Sequence, residues 1–327
     1  MTFNPPIVNI LYLLYHVITK NTKGVNKMNY GWFLITLGAA MWGIDGVLLT
    51  PRYFQYGFYD VKFIVFVSHL FPTIILSILF FNKYKLLKKF KKHDFIFYGL
   101  ISLFGGCIGT LSIVKALQLS NYSLSMVTLI QKAQPIFAVI LAYIILGERP
   151  KKRFYIILVI TLVALYLLIF GLKNPGLLPK QNLQAAIYSF IAAMSFGGST
   201  VFGKAVVNNH SFLTTTFYRF LFTTVIMAVI LIIFPSNTVA SFSQYISSPN
   251  IYLLTIIIAI YSLIGIMIYY KGMITTKASY ATICELAYPL TSVIVEAVVY
   301  KHYLTHLQIL AAIVLIGSIV YLNLGKE

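Results

Sequence analysis

The chain has 327 residues, of which 59% are hydrophobic and only 10% charged, and its mean hydropathy is +0.87. A soluble domain carries roughly 25% charged residues, so too little polar surface is present to cover a water-soluble globule. The net charge of +18 would point to nucleic acid in a soluble protein, but here the basic residues lie between apolar runs, where they set membrane topology. Nucleic acid is therefore not an expected partner, and the lipid bilayer is.

In chain order, the first 27 residues, MTFNPPIVNILYLLYHVITKNTKGVNK, hold an apolar stretch of about 13 residues, too short to cross a ~30 Å hydrocarbon layer as a helix. The stretch has no basic region before it and no small-residue cleavage site after it, so it makes a poor signal peptide. Met28 opens the next run, and residues 1–29 read as a leader, either an upstream-start extension or a peripheral amphipathic arm. Ten apolar runs follow, near 30–50, 61–81, 95–118, 123–146, 154–171, 184–204, 213–234, 251–272, 278–299 and 305–324. They are apolar all round and do not alternate as barrel strands do. The expected fold is an all-α membrane protein with ten transmembrane helices and short loops.

Lys and Arg set the orientation. With both termini on one side, that side's segments hold sixteen, from Lys20 to Lys326, and the other side holds five: Arg52, Lys62, Lys173, Lys180 and Lys301. The excess lies in KYKLLKKFKKH and ERPKKR and places both termini in the cytoplasm of a plasma-membrane protein.

The chain repeats itself. VTLIQKAQPIFAVILAYIILGER (127–149) matches ATICELAYPLTSVIVEAVVYKHY (281–303), with Pro135 and Pro289 154 residues apart. At that offset Gln131 meets Glu285, and Gln134 meets Tyr288. AAMWGIDGVLL (39–49) matches AAMSFGGSTVF (192–202); aligning Gly43 with Gly197 gives 154 again and sets Asp45 against Ser199. Each half has five spans, an odd number, so the halves insert in opposite orientations. That is the inverted repeat of secondary transporters, whose sites lie at the midplane between halves. The expected division is a first repeat over 30–171 and a second over 172–327.

These segments carry a resemblance. The WG of the first span, QKAQPIFAVILAYIILGER and KGMITTKASYATICELAYPLTSVIVEAVVY are similar to the EamA-type repeat of the drug/metabolite transporter superfamily, over about 28–325. His302 stands where the first half has Glu148, a departure from the pattern. The resemblance implies a ten-helix basket that opens alternately to each side without ATP. It does not fix the substrate.

Ionisable residues at membrane depth are costly and usually face a cavity. Lys132 lies nine residues into its span and shares a face with Thr128; Pro135 frees a carbonyl nearby. Glu285 stands four residues before Pro289. These two are expected to border the solute path and to face each other across the pseudo-twofold axis. Lys115, Asp45, His69 and Arg219 are further substrate-binding candidates, with Trp42, Gln131 and Tyr288 beside them. Each has a plainer alternative: Lys115 lies within reach of the headgroups, His69 suits a satisfied core histidine, and Arg219 can tie a neighbouring helix's carbonyls. Lys271 and Glu296 lie near span ends and read as snorkelling residues. Tyr269 and Tyr270 fit either an interfacial belt or a cavity wall.

Other motifs carry less. GGCIG (105–109) is a close-packing spacing. GSTVFGKA (198–205) misses the Ser/Thr of a P-loop and follows no strand. Cys107 and Cys284 read as buried small apolar residues. No metal site, catalytic set or cofactor is expected. The expected activity is alternating-access transport of a small polar metabolite, an amino acid or organic anion. Export is the commoner direction among bacterial members of the resembled family, and a coupling proton is an added possibility. The candidate set, with three cations and two carboxylates, suits a carboxylate-bearing or zwitterionic solute. Two rivals are flipping of a lipid-linked sugar, which needs an apolar lateral gate, and a non-transporting scaffold or sensor, which needs a closed, dry centre.

Overall fold

In the computed structural model, which describes residues 30–120, 124–172, 180–235, 238–301 and 303–324, the backbone is helical wherever the sequence is apolar. Lipid offers no hydrogen bonds, and a helix satisfies its backbone within itself. Among the described residues, ten helices are long and apolar enough to span: α1 Gly31–Gln55, α2 Val61–Leu79, α3 Lys92–Leu119, α4 Val127–Leu146, α5 Lys152–Phe170, α6 Leu183–Val207, α7 Phe212–Ile233, α8 Pro249–Met273, α9 Ala278–Tyr300 and α10 His306–Leu324. The expected leader, residues 1–29, lies outside the described residues, as does His302.

Several spans run longer than expected, α1 and α3 among them. α1 was expected to stop near Pro51 but continues to Gln55 through a π-helical turn, Asp45–Leu49. The turn reregisters the backbone so that Pro51 falls in the first turn of the next α-helical piece, where its missing N–H is no loss. α3 contains a π-helical stretch over Ile101–Gly109, the segment with the glycine cluster. A short helix, Thr238–Ser247, also occupies the loop between α7 and α8.

The two halves pack as an inverted repeat. α1 lies against α8 and α9, and its counterpart α6 lies against α3 and α4. α2 pairs with α7, and α5 with α10. The closest approaches obey the same symmetry. A Cβ on Gly43 would strike the Tyr288 carbonyl oxygen, Thr291 Cβ and Ser292 N; one on Gly197 would strike Gln134 O, Phe137 Cβ and Ala138 N. Each atom of the second set lies 154 residues from its partner in the first. Helix ends follow too: Gly147 closes α4 in the left-handed conformation (φ 66°), and Lys301 does so 154 residues later (φ 56°).

α4 and α9 are each broken near mid-span. α4 turns at Lys132 and Ala133, and α9 turns at Glu285 and Leu286. Ala133 (φ −69°, ψ −7°) and Leu286 (φ −71°, ψ −6°) have nearly the same conformation. Their N–H groups make equivalent bonds, to Ile130 O and Ile283 O, both 3.1 Å. Before the breaks the halves therefore align at offset 153, one residue short of the proline register. The extra residue in the second half falls at the break, and Lys132 and Glu285 occupy equivalent places.

Candidate functional site

The broken helices end inside a central cavity of about 200 Å³. Eight helices line it; α5 and α10 do not. The wall includes Trp42 and Asp45 on α1, His69 on α2, Gln131 and Lys132 on α4, Arg219 on α7, and Glu285 and Tyr288 on α9. Eight of the nine residues singled out in the sequence are thus brought together.

Lys115 is not among them. Its ammonium donates to Gln118 Oε1 at 2.6 Å, and Gln118 donates to the Tyr59 carbonyl, in a shallow depression near the α1–α2 turn. It is the plainer reading, a lysine within reach of the membrane surface, that describes this residue. Removing it changes the electrostatics: Lys132 and Arg219 face Asp45 and Glu285, and the cavity's formal charges balance instead of summing to an excess of cation.

Glu285 is buried and accepts from three neutral donors. These are Gln134 Nε2, Tyr269 OH at 2.7 Å and Thr200 Oγ1 at 3.0 Å. They come from α4, α8 and α6, so one carboxylate ties three helices at the break in a fourth. Lys132 is 3% exposed, and its ammonium sits 4.6 Å over the centre of the Tyr288 ring. The expected Lys132–Glu285 pairing is looser than a salt bridge. The two share the cavity, but among the described residues the ion pair within 4.0 Å is His210–Asp94. Neutral donors already fill the carboxylate, and the ring takes the ammonium.

The remaining polar groups are held individually. Asp45 accepts from Thr50 Oγ1 at 3.0 Å across the π-helical turn. His69 Nδ1 lies 2.8 Å from the Val65 carbonyl, which can only accept, so Nδ1 carries a proton. Arg219 Nη1 donates to Tyr270 OH at 3.0 Å, while its Nε has no partner among the described residues. Trp42 packs on Tyr269 with ring centres 5.1 Å apart.

Other residues in and around the wall carried weaker signals in the sequence. Tyr269 belongs to the cavity, and Tyr270 stands behind it holding Arg219, which resolves the belt-or-cavity alternative for both. Gln134 had a signal, since the repeat sets it against Tyr288. Thr200 and Ser199 had a weaker one, since Ser199 aligns with Asp45.

Contacts join the two halves at both ends of the basket. At the end holding the lysine-rich loop, Glu148 accepts from Ala278 N (2.8 Å), Ser279 N (2.9 Å) and Ser279 Oγ (2.6 Å), capping α9. At the other end Tyr53 donates to Thr255 (2.8 Å), and Ser241 donates to Asp60 (2.7 Å). The cavity reaches from the breaks toward this second end, past Thr50, Tyr53 and Ile258.

Residues 29–170 and 183–324 each match the EamA-like transporter family. The chain belongs to that family. It is a membrane-embedded transporter and not an enzyme. It is also 41% identical over 298 residues to the riboflavin transporter ImpX of Fusobacterium nucleatum, an alignment spanning 90% of this chain and 97% of that protein. A chain of known crystal structure, 13% identical, superposes with a TM-score of 0.63 over 89% of this chain and 97% of its own length, which supports the fold alone.

Proposed function

We propose that this protein carries riboflavin, or a closely related flavin, across the plasma membrane by alternating access, with both termini in the cytoplasm. The relative named as a riboflavin transporter matches nine-tenths of the chain, and the cavity wall carries aromatic and hydrogen-bonding side chains. The observation that carries the reading is the charge balance of an aromatic-walled cavity: two cations against two carboxylates, with Trp42, Tyr269, Tyr288, Phe196 and Phe220 between them. Riboflavin has no net charge at neutral pH, a flat ring system that stacks on aromatic faces, and a ribityl chain whose hydroxyls both donate and accept. An organic anion, one part of the solute class expected from sequence, fits a cavity with surplus cation; with Lys115 elsewhere that surplus is gone.

Transport would alternate between the two sets of end contacts. Opening the lysine-rich end breaks the Glu148 cap on α9, and opening the other breaks Tyr53–Thr255 and Asp60–Ser241. Glu285 is the group on which a coupling proton would reside, since it touches α4, α6 and α8 and faces the solute space shared with Lys132.

The test is direct. Purified protein in proteoliposomes should take up labelled riboflavin saturably, and excess unlabelled riboflavin, but not an amino-acid mixture, should compete. Uptake no faster than into protein-free vesicles, with no quenching of flavin fluorescence by the purified protein, would remove the flavin reading.

A further inference from the structure

Lys132 and Gln131 are consecutive, lie at the break in α4 and line the cavity. Both are more than nine-tenths buried, and both have unmet hydrogen-bonding capacity. The Lys132 ammonium makes no hydrogen bond or ion pair among the described residues; its close neighbour is the Tyr288 ring. An ammonium carries three donors, and a ring face satisfies its charge but none of its N–H groups with an oxygen. Gln131 Oε1 is buried without a partner.

The direction in which Gln131 points follows from its neighbours. A carboxylate only accepts, so Gln134 must turn its amide nitrogen to Glu285, as it does. The Gln134 oxygen then faces Gln131 and accepts from Gln131 Nε2 at 3.3 Å. Gln131 Oε1 is left as the far end of this relay, an acceptor with nothing to accept. Leaving such an atom buried and unpaired is unfavourable, as is leaving the ammonium without an acceptor. The break therefore carries one charged donor and one neutral acceptor on consecutive cavity-lining residues.

We propose that Gln131 and Lys132 read the imide edge of the solute's ring, Gln131 accepting from the ring N–H and Lys132 donating to a flanking carbonyl. The proposal rests on the flavin reading and names the part of the solute this wall recognises. The flavin ring ends in a carbonyl, N–H, carbonyl sequence, and that sequence matches acceptor and donor on adjacent residues. The ribityl chain would then lie away from the break, toward the hydroxyl-bearing side chains of Thr50 and Ser262.

Flavin-fluorescence quenching by the purified full chain tests this with three probes: riboflavin, riboflavin methylated on the imide nitrogen, and lumiflavin, which keeps the imide and lacks the ribityl chain. Lumiflavin should bind, and the N-methyl compound should bind at least about tenfold more weakly than riboflavin, since a site built around a donor rejects an analogue lacking it. Gln131→Leu should abolish the difference between riboflavin and its N-methyl form, while Gln131→Glu, which keeps an acceptor, should retain it. Lys132→Met should weaken both equally, because both keep their carbonyls. Equal binding of riboflavin and the N-methyl compound by the unmodified protein would overturn the proposal even if no variant folded, and so would discrimination that survives Gln131→Leu. Neither result would touch the flavin reading, which fails separately if riboflavin itself does not bind.

Discussion

Gly43 and Gly197 hold the seams on which the inverted repeat closes, and replacing each with alanine tests that geometry. A Cβ at residue 197 would stand 2.9 Å from Gln134 O, 3.0 Å from Phe137 Cβ and 3.1 Å from Ala138 N. Ordinary contact between heavy atoms begins near 3.5 Å, so α6 must retreat from α4 by roughly half an ångström. Two of the three obstructing atoms are backbone and cannot rotate away. Overpacking of this kind costs about 1–3 kcal/mol, and alanine returns up to about 1 kcal/mol through its helix propensity. The net loss is ~1–2 kcal/mol, or some 2–8 °C in melting temperature on soluble-domain scaling. Gly43→Ala should cost more, because its Cβ meets the Tyr288 carbonyl oxygen more closely still, and it should weaken flavin binding, because Trp42 and Asp45 lie beside it on the cavity wall. Gly317 is the control: it is helical and has nothing within 4 Å of its virtual Cβ, so Gly317→Ala should leave the melting temperature unchanged or raised. Melting of the three variants in one detergent, read beside riboflavin quenching, gives the ranking. If Gly43→Ala melts with the unmodified protein while Gly317→Ala falls, the seam assignment is wrong.

Four further outcomes are expected. Glu285→Gln should remain folded, since an amide can still bond Gln134, Tyr269 and Thr200, but should lose transport or its response to a proton gradient; unaltered uptake at every imposed gradient counts against Glu285 as the coupling group. Lys301→Gly should raise the melting temperature, because a non-glycine residue at φ 56° costs about 1 kcal/mol where Gly147 does the same work freely; a lower melting temperature would show that the lysine side chain contributes more than its backbone costs. Glu148→Gln should loosen the lysine-rich end, seen as faster labelling of a cysteine placed at Thr276, whereas an unchanged rate would show that this cap does not gate. A cysteine at Lys89 should resist impermeant reagents in intact cells while one in the 238–247 segment reacts; the opposite pattern would invert the topology.

Much of the fold is legible in the sequence because the bilayer imposes a single backbone solution. Apolar runs of about twenty residues become helices, and the matched segments around Pro135 and Pro289 and around Gly43 and Gly197 mark the repeat. The C-terminal end of α1 is less legible: the apolar run ends near residue 50, and a π-helical turn carries the helix on to Gln55. In the site, burial of an ionisable residue identifies Lys132, Glu285, Asp45, His69 and Arg219 correctly as cavity residues. The same rule misplaces Lys115, because a lysine near a span end satisfies itself with Gln118 and water as readily as with a solute. Thr200, Ser199 and Gln134 are harder to see: uncharged polar residues carry little penalty at depth, so only their repeat partners mark them. What periodicity cannot supply is who bonds whom. That Glu285 is filled by neutral donors, leaving Lys132 to a ring, depends on how four helices meet at one point.

The break in each half is where symmetry is kept in backbone and discarded in chemistry. Ala133 and Leu286 share one conformation, and Lys132 and Glu285 precede them at equivalent places, yet one is a cation and the other an anion. A single added residue at the second break accounts for the change of register from 153 to 154. Two identical charges there would repel across the axis and demand a counter-charged solute. Opposite charges cancel and leave the centre polar but neutral, a setting for a solute with local dipoles and no net charge. On the alternating-access reading proposed above, the halves would exchange shapes while the donor at Lys132 and the acceptor at Gln131 hold the solute in one orientation. A chain with glutamine at both places should hold its fold and bind flavin in no preferred orientation, with weaker affinity. Polarised quenching or a flavin spectrum indistinguishable from that of the unmodified protein would show that the charge inversion does not orient the solute.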